Sequence, residues 1–440
     1  VTSELFFRHA LLPGGWAENV RVEIADGLIG RVAAGAAAGG ESHAIALPGM
    51  PNLHSHSFQR AFAGLTETRG DAADSFWSWR EQMYRFALRM NPDDVEAVAA
   101  QAFVEMLEAG FTQVAEFHYL HHDPDGRPYA DIAEMAARIA AAAAATGIDL
   151  LLLPVFYAHA NFGGVKPADG QRRFICTLDQ YAALHARCQK LAPTGIAPHS
   201  LRAVTPQELA SLAALGRGAP LHIHIAEQTR EVADCLAWSG ARPIEWLLGH
   251  APVAENWCLI HATHAEPAER AGMAASGAVV GLCPITEANL GDGIFHAQSF
   301  TGATGIGSDS NVLISVVEEL RQLEYAQRLM ARQRNVLASA ATPATATAMY
   351  AQALAGGAQA CGGGAGIAAG APANIVTLNT GALGPAAANP GAALNIAVFA
   401  SRAPAVETVW VRGRRLVQNG RHVGANATRR RFDATLARLL

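Results

Sequence analysis

The 440-residue sequence predicts an α/β chain, a (β/α)8 TIM-like barrel with a small β-sandwich domain built from both termini. Three observations lead there. Apolar strand-like runs alternate with longer helical stretches through the middle of the chain. Both ends read instead as short strands and turns. Side chains that carry chemistry recur at the C-terminal ends of the apolar runs, the face on which such barrels place their sites.

The ends come first. Val20-Arg-Val-Glu-Ile-Ala alternates, and Asp26-Gly27 marks a tight hairpin. Ala373-Asn-Ile-Val-Thr-Leu and Val406 to Val417 repeat the pattern, with Arg412-Gly413 and Asn419-Gly420 as turn signals. Residues 1–46 and 370–440 are therefore assigned to one small β-domain, and residues 47–369 to the barrel.

Within the barrel the expected strands are Leu47–His54, Phe111–Phe117, Asp149–Phe156, Gly195–His199, Ala219–Ala226, Trp257–Ala262, Ala278–Leu282 and Ala303–Ser308. Helices are expected between them, among others over Pro92–Ala109, Tyr129–Thr146, Leu178–Leu191, Pro206–Leu215, Pro267–Ala275 and Val316–Gln333. The connection from Cys283 to Gly302 shows no clear helix of its own. A doubly wound sheet is the weaker alternative, because no glycine-rich phosphate loop follows the first strand.

Composition narrows the function classes. Half of the residues are hydrophobic and 16% are charged, enough for a large buried core. The net charge of -5 and the dispersed basic residues argue against a nucleic-acid face. Six cysteines form no CxxC pair and read as buried, reduced thiols. The longest apolar tract, Ile139 to Phe156, is broken by Gly147, Asp149 and Pro154, so it reads as helix, turn and strand rather than a membrane span. No secretory signal pattern opens the sequence, and a cytoplasmic location is expected.

The strand ends carry the functional signal. Strand one ends in His54-Ser-His56, strand two in Glu116-Phe-His118-Tyr119, and strand four at His199 with Arg202 just beyond. Strand five ends His222-Ile-His224-Ile-Ala-Glu227, strand six at His261 and strand eight at Asp309. A lone His-x-His is a pair that chance nearly supplies; the conjunction is not. His54, His56 and His224 offer imidazoles and Asp309 a hard carboxylate, a set that suits one zinc ion with a water in the remaining position. Zinc lowers the pKa of such a water and makes it a nucleophile. Glu227, three residues after His224, is placed to move protons, and His261 to stabilise developing charge. Glu227, His261 and Asp309 form the expected catalytic set. The only lysines, Lys166 and Lys190, lie away from the strand ends, which disfavours a bridging modified lysine and a second resident metal.

These motifs resemble the mononuclear deaminase branch of the amidohydrolase superfamily over nearly the whole chain. His54-Ser-His56-Ser-Phe-Gln59-Arg60, Phe76-Trp77-Ser-Trp79-Arg80, Glu116 to His122, His199-Ser-Leu-Arg202 and His222 to Gln228 are similar to the formimidoylglutamate deiminases within it. That resemblance implies hydrolysis of N-formimino-L-glutamate to N-formyl-L-glutamate and ammonia in histidine degradation. It also implies one zinc per chain and a homodimer. The substrate would be a small dicarboxylate, with neither nucleic acid nor membrane as partner. Arg80 and Arg202 are then assigned to the two substrate carboxylates. Tyr119 and Gln59 are assigned as donors to carboxylate oxygens, and His199 as a contact near the formimino group.

Two other readings stay open. One is a deaminase of the same branch acting on a guanine-like or other heterocyclic amine. The other is an inactive barrel used for binding. Single residues also have structural readings: His222 as core, Glu227 as a helix N-terminal charge, Arg80 as a surface helix charge, Tyr119 as a core hydroxyl, and Trp77 and Trp79 as packing. His118, His121 and His122 read as loop filler or as support behind the site.

Overall fold

The computed structural model describes residues 3–69 and 75–440. Eight parallel strands close into a barrel: Met50–Ser55, Phe111–His118, Asp149–Phe156, Ala197–Pro198, Leu221–Ile225, Trp257–His261, Val279–Leu282 and Thr304–Ile306. Neighbours pair in sequence order. Bridges Ile196–Leu221 and Ser55–Asp309 join the two halves. Each expected strand is present. The fourth is the shortest, because Pro198 has no N–H to give; the chain continues the barrel through single bonds, His199 N to Phe156 O and His224 N to His199 O.

Local signals start and stop the helices between the strands. Asn91 caps Pro92–Glu108 by accepting from Asp94 N at 2.9 Å, while the Asp94 carboxylate accepts from Asn91 N at 2.7 Å. Thr205 and Glu208 do the same for Pro206–Leu215. Glu134–Thr146 ends at Gly147, whose φ of 83° costs little only without a Cβ. The Ile139 to Phe156 tract is thus helix, turn and strand, as its sequence implies.

Several boundaries differ from expectation. The helix expected from Tyr129 starts at Glu134, because the Asp131 carboxylate accepts from Ala133 N and holds that stretch as a turn. The helix expected to reach Leu191 stops at Cys188, and the one expected to reach Gln333 stops at Ala331, where Arg332 adopts a left-handed φ of 54°. The Cys283–Gly302 connection does contain a helix, Pro284–Leu290, opened by its proline.

Strands from both termini form one eight-stranded sheet, running from Arg421–His422 at one edge to Leu28–Ala33 at the other. The Asp26-Gly27 hairpin is present, with φ of 52° and 81° at its two central residues. The sheet curls until its last strand meets the segment before Ile375: Ile29 N donates to Ala371 O at 2.9 Å and Gly370 N to Ile29 O at 2.7 Å. Phe7, Val20, Val22, Ile24, Ile375 and Trp410 fill the enclosed core. Strand Glu41–Pro48 of this sheet leads into the first barrel strand through Gly49 alone. A Cβ at Gly49 would lie 2.2 Å from Thr112 Oγ1, so only glycine lets the chain pass.

Helix Phe76–Ala87 lies over the C-terminal mouth of the barrel. The fully buried Arg173 fixes its far end, donating to the carbonyls of Ala87 and Met90 and to that of His122. A cation at a helix C-terminus satisfies carbonyls that have no partner within the helix. Among the described residues, no helix is long and apolar enough to cross a membrane. All six cysteines are free and buried.

Candidate active site

The strand ends bring four side chains to one point. His54 and His56 come from strand one, His224 from strand five, and Asp309 follows strand eight. His54 Nε2 lies 3.2 Å from His56 Nε2 and 3.0 Å from His224 Nε2. Asp309 Oδ1 lies 3.4 Å from His54 Nε2 and 3.2 Å from His56 Nε2. Ligand atoms each about 2.0–2.2 Å from one ion lie roughly 3–3.5 Å apart, so this set fits a single cation.

Hydrogen bonds behind the ligands support that reading. His56 Nδ1–H donates to Phe117 O at 2.9 Å, and His224 Nδ1–H to His199 O at 2.8 Å. A carbonyl only accepts, so both rings keep their proton on Nδ1 and turn an Nε2 lone pair toward the centre. Lone pairs converging at these distances repel one another unless a cation lies among them. Burial, reinforced by the neighbouring imidazoles, holds His224 well below its ordinary pKa, which keeps the ring a neutral ligand. Burial likewise draws His54 down to about 3.

A polar lock closes the barrel beneath this cluster. Asn52 Nδ2 donates to Ser308 Oγ at 2.7 Å, Ser308 Oγ to Asn311 Oδ1 at 2.6 Å, and Asn311 Nδ2 to Ser55 Oγ at 3.1 Å. These links tie strand one to the turn that carries Asp309. That turn is strained: φ is 43° at Asp309 and 55° at Asn311, and left-handed values recur at Ala226, His261 and Ala262. Five of the eleven non-glycine residues in that region, among the described residues, lie at the strand ends bearing the site.

Glu227 and His261 flank the cluster. His261 Nε2 lies 3.8 Å from Glu227 Oε1 and 3.8 Å from Asp309 Oδ2, and its Nδ1 lies 3.2 Å from Glu287 Oε1. Burial pushes the Glu227 carboxyl up to about 7 against the pull of His261 and Arg202. Burial would lower His261, but the carboxylates of Glu227, Glu287 and Asp309 outweigh it and raise the ring to about 10. The buried Glu231 accepts from the backbone N–H groups of Ala226 and Glu227 at 3.2 and 3.1 Å and holds that strand end in place.

A cavity opens onto the cluster. Gln59, Arg80, Tyr119, His199 and Arg202 all line it, together with His56, His224, Glu227 and Asp309. Gln59 Nε2 donates to the Tyr119 hydroxyl at 2.9 Å, and burial keeps that phenol protonated, leaving its proton free to be donated elsewhere. Arg202 is buried, with Nη2 4.0 Å from Glu227 Oε2. The Nε atoms of both Arg202 and Arg80 are buried without a hydrogen-bond partner. The Arg80 guanidinium stacks over Trp77 at 4.5 Å, so Trp77 supports the arginine, while Trp79 lines the cavity wall.

His222 sits away from the cluster, its Nε2 bonded to Ala360 O at 2.8 Å. His121 and His122 bond to the carbonyls of Val155 and Ile175, and His118 is buried beside them. Sequence reasoning missed Tyr84, Tyr157 and Phe174 in the cavity wall, and also Glu231 and Glu287. Glu231 stands four residues after Glu227 at the start of a helix, which is the one signal that points to it.

Known proteins resemble this chain in sequence and fold. The Amidohydrolase family matches residues 45–416, and the Formimidoylglutamate deiminase HutF N-terminal domain matches residues 2–44. The chain is 52% identical to the formimidoylglutamate deiminase of Pseudomonas aeruginosa, with 100% of each chain covered. It is 27% identical to a 5-methylthioadenosine/S-adenosylhomocysteine deaminase of Natronomonas pharaonis, covering 65% of this chain and 63% of that one. The crystal structure of an amidohydrolase from Brucella melitensis superposes with a TM-score of 0.96 at 52% identity, covering 99% of both chains. A zinc-bound adenosine deaminase from Xanthomonas campestris shares the fold, with a TM-score of 0.81 at 21% identity over 99% of this chain and 98% of that one.

Proposed function

The chain belongs to the amidohydrolase family, and from that premise we propose that it hydrolyses N-formimino-L-glutamate to N-formyl-L-glutamate and ammonia. The observation that carries the substrate is the pair of arginines, Arg80 and Arg202, lining a cavity that ends at the metal-binding cluster. Arg202 is buried and Arg80 half-buried, and a guanidinium withdrawn from water is costly unless an anion meets it. A substrate with two carboxylates supplies two.

The proposed metal is zinc, one per chain, held by His54, His56, His224 and Asp309. Bound there, it would supply Lewis acidity and a water of lowered pKa at the cavity floor. Arg80 and Arg202 hold the substrate carboxylates through charge-assisted hydrogen bonds. Tyr119, steadied by Gln59, donates its free proton to a carboxylate oxygen. His199 packs within the wall beside Tyr157 and faces the formimino group. Glu227, whose carboxyl burial raises to about 7, takes a proton from the attacking water and passes it to the formimino nitrogen. It then passes the remaining hydroxyl proton to the same nitrogen as that nitrogen departs. His261 donates toward the oxygen on which charge develops. Ammonia leaves and the oxygen stays on the formyl carbon.

The proposal treats residues 47–369 as the catalytic barrel and residues 1–46 with 370–440 as an attached β-rich domain. A cytoplasmic location and a homodimer belong to the same reading; six free, buried thiols support a reducing compartment. The runner-up is a ring amine, favoured by the aromatic side chains Trp79, Tyr84 and Phe174 in the cavity wall. Ammonia release from N-formimino-L-glutamate, set against a panel of purines and pyrimidines, separates the two. Turnover of the linear amidine alone supports the proposal, and turnover of a ring alone refutes it.

A further inference from the structure

Asp309 presents its two oxygens to two different groups of side chains. Oδ1 faces His54 and His56, while Oδ2 faces His261 Nε2 at 3.8 Å. Beyond it stands Cys283, at the end of strand seven and directly before helix Pro284–Leu290. His261, Cys283 and Asp309 thus come from three adjacent strand ends, and one ligand atom from each lies within 4.8 Å of the others.

We propose that His261 Nε2, Cys283 Sγ and Asp309 Oδ2 form a second, weaker site for a soft divalent cation, zinc or cadmium, whose occupation inhibits the enzyme. The inference rests on the reading above, in which a resident ion fills the first cage.

Three observations support it. His261 Nε2 is buried and has no hydrogen-bond partner, so on losing its proton it offers an unused ligand atom. Buried carboxyl groups crowd the surroundings: Glu227, Glu287 and Asp309 face His261, and Glu319, which burial keeps protonated, lies within electrostatic reach of Glu287 and Asp309 with one oxygen unpartnered. A carboxylate offering one oxygen to each of two ions offsets the repulsion between them. A nitrogen, thiolate and carboxylate set also suits zinc and cadmium over magnesium or calcium.

The separations explain why this site is the weaker one. Ligand atoms about 2.0–2.3 Å from one zinc lie roughly 3.3–3.7 Å apart, so these groups must close by about 1 Å. Binding also requires two protons to leave to solvent, one from the Cys283 thiol and one from Nε2 of the charged His261 ring. The cation would occupy His261 and crowd Glu227, 3.8 Å away, while leaving Arg80 and Arg202 untouched. Inhibition therefore lowers kcat and leaves KM unchanged.

The test starts from the chain loaded with one equivalent of zinc and adds zinc or cadmium. Bound metal per chain, ultraviolet thiolate-to-cadmium absorption and turnover are read together. The expected result is a second equivalent, thiolate absorption and a loss of kcat of more than tenfold. Cys283→Ala should keep basal activity and the first ion, lose the absorption, and bind the second ion at least tenfold more weakly; Cys283→Ser should bind it more weakly than the unsubstituted chain. Uptake of only one equivalent by the unsubstituted chain, or unchanged second-ion affinity in Cys283→Ala, overturns this inference alone. A chain that binds no first equivalent overturns the proposed function as well.

Discussion

His261 Nδ1 lies 3.2 Å from Glu287 Oε1, and this contact leaves Nε2 aimed between Glu227 and Asp309. The carboxylate can only accept, so it fixes the proton on Nδ1 and favours a charged ring. Glu287 also accepts from Cys283 N at 2.9 Å, which anchors it to the end of strand seven. A seven-residue helix thereby sets the orientation of a ring at the reacting centre.

Removing that anchor should be felt in turnover. Glu287→Ala is expected to lower kcat by about 10- to 100-fold with little change in KM, because the loss falls on transition-state stabilisation. Metal content should stay at one ion per chain. Steady-state kinetics with metal analysis checks this; a rise in KM with kcat unchanged would show that Glu287 serves binding instead.

Glu227→Gln keeps the shape of the side chain and removes its basicity. The variant should hold its metal and lose about 10²- to 10⁴-fold in kcat, the range for a positioned acid–base group. A near-normal rate would remove Glu227 from the proton path.

The two arginines should differ. Arg80→Met is expected to raise KM by roughly 10- to 100-fold, the cost of a lost charge-assisted hydrogen bond, with kcat nearly unchanged. Arg202 lies 4.0 Å from Glu227 and also lowers that carboxyl's pKa, so Arg202→Met should raise KM and change kcat together. Equal effects of both substitutions on KM alone would deny Arg202 its link to Glu227.

Acid should weaken the fold through His118. Burial, with Arg173 nearby, lowers this imidazole to about 3, against about 6.5 in an unfolded chain. Between those values the unfolded chain binds a proton that the folded chain refuses, so stability is full above about pH 6.5 and falls as pH drops toward 3. His121 shifts in the same direction. Urea midpoints at two pH values should separate less in His118→Gln than in the unsubstituted chain; an identical separation would exclude His118 as a source.

Much of this was legible in the sequence because six of the eight barrel strands are apolar runs that end at or just before a histidine or a carboxylate, strands three and seven, which end in Phe156 and Leu282, being the exceptions. His54, His56, His224, His261 and Asp309 announce themselves by position once eight runs are counted. Glu287 was hidden, since Pro284-Ile-Thr-Glu-Ala-Asn-Leu is too short to show helical periodicity. Arg173 was hidden for another reason: nothing local marks an arginine whose partners are carbonyls 51 to 86 residues away. The left-handed turn at Ala226 is tertiary strain at a residue that carries no turn signature. Tyr84 and Tyr157 enter the cavity by packing, and phenols in apolar runs read as core.

The most direct test identifies the products formed from N-formimino-L-glutamate by the zinc-loaded chain, using proton NMR with an ammonia assay. The account predicts N-formyl-L-glutamate and ammonia in equal amounts, and no conversion once a chelator has removed the metal. Formation of L-glutamate with formamide, which breaks the other C–N bond, would contradict it, as would conversion at full rate by the metal-free chain.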